Sequence, residues 1–91
     1  TELLGNFPNP FNPVTQIRFS LAAEVTADLT IFNLKGQKIR SYHIESAPQA
    51  AYHTIIWDGS DEQCKPVSSG VYFYKLASGP HQSTRKMIML K

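Results

Sequence analysis

Apolar and polar residues alternate along most of this chain, and this period of two constrains its fold more than any other feature. In QIRFSL (16–21), Ile17, Phe19 and Leu21 fall on one face, and the polar side chains between them fall on the other. The stretch EVTADLTIFN (24–33) repeats the pattern. Alternation of this kind predicts antiparallel strands with one buried face and one solvated face.

Four more segments extend the pattern, and turn residues separate them. KIRSYHI (38–44) and YHTIIWD (52–58) predict strands, the second rich in β-branched and aromatic residues. GVYFYKLA (70–77) is apolar on both faces, which predicts a central strand, and QSTRKMIMLK (82–91) predicts the last strand. No helical pattern of useful length appears. The 91 residues therefore predict a single all-β domain, an immunoglobulin-like antiparallel β-sandwich of about seven strands with Trp57 in its core.

The first fifteen residues break the alternation with a run of asparagines and prolines, NFPNPFNP (6–13). Each proline lacks a backbone N–H and favours an extended conformation in the residue before it, and asparagine side chains can close Asx-turns. We predict a stiff leader over residues 1–15 that packs on a sandwich formed by residues 16–91, with Phe7 and Phe11 as its anchors. The predicted structural residues of the leader are Asn6, Pro8, Asn9, Pro10, Phe11, Asn12 and Pro13.

The composition argues against several classes of function. A formal net charge of +2 is too small and too scattered for a nucleic-acid-binding protein. The single cysteine, Cys64, cannot form a disulfide within the chain. No apolar run reaches the length of a transmembrane helix, so membrane insertion is not expected. Because Ser, His and Asp form no recognisable catalytic arrangement and the glycines form no phosphate-binding loop, we predict a non-catalytic domain without a cofactor.

Three groups of residues leave alternative functions open. His43 and His53 could meet across neighbouring strands and bind a metal, although ordinary surface histidines explain them better. The oxygens of WDGSDE could hold calcium, although Asx-turns explain them equally well. Aromatic side chains could form a flat platform for sugars, although their strand positions favour the core for most of them. The calcium candidates are Asp58, Ser60, Asp61 and Glu62, and the platform candidates are Tyr52, Trp57, Tyr72, Phe73 and Tyr74.

Several motifs together resemble one known family. NFPNPFNPVTQIRFSL resembles the opening N-x-P-N-P-F-N-P-x-T-x-I-x-F-x-L of the type IX secretion C-terminal sorting domains, which are close to the flagellar hook-capping immunoglobulin-like domains. IFNLKGQKI resembles their I-Y-N-x-x-G-Q-x-V turn, and the segments WDGSDE, KPVSSGVYFYKL and KMIMLK resemble their later motifs in order. One turn departs from the family, because Gln63 and Cys64 stand where Asn-Gly is usual. Glycine there indicates a positive φ, so either Cys64 is strained or the turn takes another form.

The resemblance implies a sorting signal at the C-terminus of a larger secreted protein. It implies a cargo domain N-terminal to this one, passage through the periplasm, and a secreted or cell-surface destination. The implied partners are the outer-membrane secretion machinery, a shuttle protein and a sortase-like peptidase. The alternatives are a structural immunoglobulin-like spacer and a carbohydrate-binding module attached to a secreted enzyme. The chain stops directly after its last predicted strand, which favours the sorting signal.

The family resemblance also implies which residues a partner recognises. These are the glycine of the turn, the G-x-Y strand and the basic terminal strand. A terminal strand that combines apolar residues with lysine is a natural ligand for strand addition by a partner. The corresponding residues here are Gly36, Gly70, Tyr72, Lys86, Met87, Ile88, Met89, Leu90 and Lys91.

Overall fold

A computed structural model of the chain describes residues 1–45, 49 and 51–90. Within this part, the regular secondary structure consists of seven strands. The described residues contain no helix that is long and apolar enough to cross a membrane. The strands are β1 (Glu2–Phe7), β2 (Thr15–Leu21), β3 (Thr26–Asn33), β4 (Lys38–Glu45), β5 (Ala51–Trp57), β6 (Gly70–Ser78) and β7 (His81–Met89).

The strands form two antiparallel sheets, one of three strands and one of four. The smaller sheet has the order β1-β2-β5, and the larger has the order β4-β3-β6-β7. Strand β6 lies between β3 and β7, as its two apolar faces predicted. The predicted all-β, immunoglobulin-like sandwich is thus confirmed.

The alternation of the strands buries one face of each sheet in a shared core. At its centre, the ring of Trp57 packs against Phe11 and Tyr72, with centroid distances of 5.7 and 5.3 Å. The indole N–H of Trp57 donates to the carbonyl of Ser60 at 2.8 Å. A buried tryptophan needs such an acceptor, so the predicted core anchor is both packed and hydrogen-bonded. The other core side chains are Leu3, Ile17, Phe19, Leu21, Ala27, Leu29, Ile31, Tyr74, Leu76, Met87 and Met89.

The first fifteen residues include a strand that the alternation did not predict. Strand β1 pairs with β2, and its register shifts between Leu3 and Gly5, where Gly5 has a φ of +122°. Such a bulge places an extra residue in one strand and interrupts the period of two. The segment predicted as a leader over residues 1–15 therefore contributes an edge strand to the smaller sheet.

The two phenylalanines of the leader occupy different environments. Phe11 is buried against Trp57, which confirms it as an anchor. Phe7 is 75% exposed, so the prediction that it also anchors the leader is wrong. Phe7 is the last residue of β1, and β1 leaves only Leu3 fully inside the sandwich.

The side chain of Asn6 makes both a local bond and two bonds to more distant residues. Asn6 Nδ2 donates to the Pro8 carbonyl at 3.3 Å and to Thr15 Oγ1 at 3.1 Å. Asn6 Oδ1 accepts the hydroxyl of Tyr74 at 3.1 Å, which joins the leader to the larger sheet. Burial raises the pKa of Tyr74, so this hydroxyl remains a donor over the physiological range.

Cys64 adopts the conformation that the family resemblance predicted for its position, with a φ of +63°. A left-handed conformation costs a residue other than glycine about 1–2 kcal/mol. Replacing Cys64 by glycine removes this cost. Glycine loses more conformational freedom on folding, however, and this offsets about 0.5–1 kcal/mol of the gain. We therefore expect Cys64→Gly to raise the free energy of unfolding by about 0.5–1 kcal/mol in urea denaturation. The control is Gln63→Gly, where φ is not positive, and equal midpoints for the two variants would contradict the prediction.

Candidate functional site

The residues predicted for partner recognition lie together at one end of the larger sheet. The register pairs Asn33 with Tyr72 and Tyr72 with Met87, so the end of β3, the start of β6 and the end of β7 are neighbours. Gly36 lies in the turn that follows β3, and we call this region the Gly36 end. It contains the predicted residues Gly36, Gly70, Tyr72, Lys86, Met87, Ile88, Met89 and Leu90, whereas Lys91 lies outside the described residues.

Asn33 and Gln37 hold the turn between β3 and β4 in one conformation. Asn33 Oδ1 accepts the backbone N–H groups of Lys35 at 3.0 Å and Gln37 at 2.9 Å, and Asn33 Nδ2 donates to Gln37 Oε1 at 2.8 Å. Gly36 takes a φ of +83°, a conformation that glycine adopts readily. Leu34, in the same turn, is 70% exposed. These bonds make a rigid turn that presents an apolar side chain to solvent.

Tyr72 supports the Gly36 end from inside the fold. It is buried, its ring meets Trp57 edge-on, and its hydroxyl donates to the carbonyl of Ser68. An open groove of about 340 Å³ lies between the turn and residues 68–72. The hydroxyl bond fixes one wall of this groove, so Tyr72 positions the groove and offers a partner very little surface.

Buried and exposed side chains alternate along the end of the terminal strand. Met87 and Met89 are fully buried in the core. Lys86, Ile88 and Leu90 alternate with them and are exposed. Of the terminal-strand residues that the family resemblance singled out, only the exposed ones can contact a partner while the domain is folded.

The leader already pairs with the outer edge of β7 at the C-terminal end of that strand. Phe11 forms a parallel bridge with Met89. The N–H of Phe11 donates to the Ile88 carbonyl at 3.0 Å, and the N–H of Leu90 donates to the Phe11 carbonyl at 2.7 Å. The N–H of Ile88 donates to Asn9 Oδ1 at 3.0 Å. A partner strand can therefore pair with residues 88–90 only after the leader has left this edge.

Little in the sequence predicted this contact between the leader and the last strand. Asn9 and Ile88 are 79 positions apart, and no local pattern reports a pairing over such a separation. The one usable signal was Phe11, because a large apolar residue inside a polar, proline-rich segment needs a place in the core.

The two histidines considered as a metal pair do not lie on neighbouring strands. His43 is on β4 and His53 is on β5, and these strands belong to different sheets. A hydrogen bond of 2.9 Å between His43 Nδ1 and Asp28 Oδ1 raises the pKa of His43. His53 instead stacks on Phe19 at 5.6 Å. The two side chains therefore cannot share a metal ion in this fold.

Internal hydrogen bonds occupy Asp58 and Asp61 of WDGSDE, whereas Glu62 Oε1 accepts the backbone N–H of Ser41 on β4 at 2.6 Å. Asp61 Oδ1 accepts the N–H groups of Gln63 at 2.9 Å and Lys65 at 3.0 Å, which is an Asx-turn. Asp58 Oδ1 accepts from the hydroxyl and the N–H of Ser60, and the hydroxyl bond in particular lowers the pKa of Asp58. In the described part of the chain, no group of three or more His, Cys, Asp or Glu side chains is placed to hold a metal.

The aromatic residues considered as a sugar platform do not share one face. Trp57, Tyr72 and Tyr74 are buried in the core. Tyr52 is 81% exposed on the smaller sheet, and Phe73 is half-buried on the larger one. A flat platform needs its rings side by side in solvent, and these rings point into three different environments.

The fold and the positions of these residues thus define a class of protein. It is a small β-sandwich whose candidate recognition residues lie at one end of the larger sheet. The family model of the secretion system C-terminal sorting domain matches residues 6–90. The chain belongs to this family, whose members are sorting signals of the type IX secretion system. A domain of this kind implies a secreted or cell-surface protein exported across the outer membrane.

Two solved structures contain a similar fold. Dimeric latent PorU from Porphyromonas gingivalis matches with a TM-score of 0.76 and 19% identity, over 98% of this chain and 9% of that chain. PorZ, an essential surface component of the type IX secretion system of the same organism, matches with a TM-score of 0.63 and 19% identity, over 94% of this chain and 11% of that chain. The chain therefore spans only a small part of either protein. No curated protein matches it.

Proposed function

We propose that this domain directs an attached cargo across the outer membrane and that the secretion machinery binds it at the Gly36 end. In this proposal, the leader (1–15) and the sandwich (16–91) act as one non-catalytic module at the C-terminus of a larger secreted protein. The module passes through the periplasm, a shuttle protein accepts it, and a sortase-like peptidase removes it from the cargo.

One observation carries the placement of the binding site. Leu34, Ile88 and Leu90 are exposed apolar side chains. They lie at the same end of the larger sheet, on the turn after β3 and on the terminal strand, with the start of β6 between them. Interfaces bury apolar centres, and a few such residues contribute most of the binding free energy. The turn is held by side-chain hydrogen bonds, so binding orders little new structure there.

The buried residues of the same motifs have a different task. Deleting residues 87–91 would remove Met87 and Met89 from the core, and the domain would lose stability and its recognition surface together. A test of recognition must therefore change the exposed side chains and leave the buried ones in place.

The experiment fuses the domain to a fluorescent reporter in a host that carries the type IX system. The site variant combines Leu34→Ser, Ile88→Thr and Leu90→Ser. The control variant combines Tyr52→Ser and Ile56→Thr, which remove two exposed apolar side chains from the smaller sheet. We expect export of the site variant to fall by about tenfold or more, because a central contact commonly contributes about 2 kcal/mol. We expect the control to export normally.

The outcomes separate the parts of the proposal. Circular dichroism of the purified fusions checks that both variants are folded. Normal export of a folded site variant would show that the Gly36 end is not the binding site. Normal export after deletion of the whole domain would show that the domain is not the signal.

A further inference from the structure

A row of side chains crosses the outer face of the larger sheet from edge to edge. Phe32 on β3 pairs with Lys38 on β4 and with Phe73 on β6, and Phe73 pairs with Lys86 on β7. The neighbours of these residues, such as Ile31, point into the core, so the row points outward. Two phenylalanines therefore lie side by side on the solvent side, with a lysine at each end.

Adjacent rows extend this arrangement. Val71 pairs with Ile88 on the side nearer the Gly36 end, and neither belongs to the core. Lys75 follows Phe73 by two residues along β6, on the same face. We call the whole set the Phe32–Phe73 face. It consists of Phe32, Lys38, Val71, Phe73, Lys75, Lys86 and Ile88.

The charge on this face is of one sign. In the part of the chain that the structure describes, the ion pairs involve only Arg40 and His43 as cations. The three lysines of the face therefore have no carboxylate partner within that part. Beyond the Phe32–Phe73 face, on the outer side of the same sheet, Asp28 pairs with His43, and Thr30 pairs with Ser41. The apolar and uncompensated basic character is thus confined to the half of the sheet next to the Gly36 end.

The two phenylalanines are more apolar than a solvated strand requires. Their cross-strand pair contributes about 0.2–1 kcal/mol to stability, but threonine also favours strands and would suit a solvated face. Phe32 and Phe73 instead expose part of their rings. An apolar centre with a charged rim is the composition of a protein-binding surface.

We propose that the Phe32–Phe73 face binds a protein partner that presents apolar side chains rimmed by Asp and Glu. The uncompensated lysines require carboxylates opposite them, since complementary charge steers association and rejects other partners. A second copy of this chain would place lysine against lysine and is disfavoured. The inference rests on the proposed function, because it assigns this partner to the secretion machinery and enlarges the surface of the Gly36 end.

The test uses three variants of the reporter fusion. The first combines Phe32→Thr and Phe73→Thr, and the second combines Lys38→Glu, Lys75→Glu and Lys86→Glu. The third is a control, Arg18→Glu with Ile56→Thr, on the smaller sheet. We expect export to fall by about tenfold for the first two variants and to stay unchanged for the third. Urea denaturation checks that all three variants are folded under the conditions of the export assay, since loss of the half-buried rings lowers the midpoint of the first variant.

Photo-crosslinking identifies what covers the face. A benzophenone amino acid at position 73, with a matched one at position 56, is activated in living cells. We expect position 73 to crosslink a protein of the secretion machinery, and the lysine reversal to reduce that yield by about tenfold. Crosslinking to a second copy of the fusion or to lipopolysaccharide, or a yield that the reversal leaves unchanged, would overturn the proposal. If deletion of the whole domain stops export but these variants do not, this inference alone fails and the sorting function stands.

Discussion

Replacement of Trp57 by alanine is expected to lower the free energy of unfolding by about 3–5 kcal/mol, the usual cost of removing a large buried aromatic side chain. Its ring is fully buried and contacts aromatic rings from the leader and from β6. Its indole N–H also satisfies the carbonyl of Ser60. A domain of this size has a total stability of about 5–14 kcal/mol, so the variant retains only part of its folding free energy.

Urea denaturation followed by far-ultraviolet circular dichroism measures this loss, because the variant lacks the only tryptophan of the chain. Tyr52→Ala is the matched control, since it removes an exposed aromatic side chain from the same strand, β5. We expect the control to change the free energy of unfolding by no more than about 0.5 kcal/mol. Equal shifts for the two variants would mean that Trp57 does not anchor the core.

The alternation of apolar and polar residues predicted most of the sandwich, because each strand has a solvent-exposed face opposite its buried one. Strand β2 shows this most clearly, with Ile17, Phe19 and Leu21 all buried as the period of two requires. Strand β6 was predicted to be central from its apolar outer residues. Its position between β3 and β7 agrees, but the exposed part of Phe73 shows that an apolar outer face has a second explanation.

The first strand was not predictable in this way. The bulge between Leu3 and Gly5 breaks the period of two, and an edge strand with one buried residue leaves almost no pattern. The leader's contacts were also hidden, because Asn9 bonds to β7 across nearly the whole length of the chain. Local rules predicted an Asx-turn at such an asparagine, and the tertiary contact with Ile88 prevailed.

Motif resemblance located the candidate site but could not separate contact residues from supporting residues. Tyr72 and Met89 belong to the motifs and are buried, whereas Ile88 and Leu90 are exposed. Only the sheet register shows that the turn, the start of β6 and the end of β7 are neighbours. It also shows Phe32 beside Phe73, which no motif singles out.

The leader covers the outer edge of the terminal strand, and Phe11→Ala tests whether Phe11 holds it there. We expect the variant to lose about 3–5 kcal/mol of stability, because the Phe11 ring is buried against Trp57 at 5.7 Å. The leader should then leave the outer edge of β7 more often, which frees the N–H of Leu90 from the Phe11 carbonyl. Phe7→Ala is the matched control, because Phe7 lies in the same segment and is exposed.

Hydrogen exchange distinguishes a local effect from a global one. The amide of Leu90 reports on the leader's contact, whereas the amide of Leu29 lies in the middle of β3, between two strands. If Phe11 holds the leader on the edge, exchange at Leu90 should accelerate in Phe11→Ala under conditions where exchange at Leu29 still requires global unfolding. Equal acceleration at both amides would mean that Phe11 contributes only to global stability. The edge of β7 would then be no more accessible in the variant, and strand addition by a partner would not depend on release of the leader.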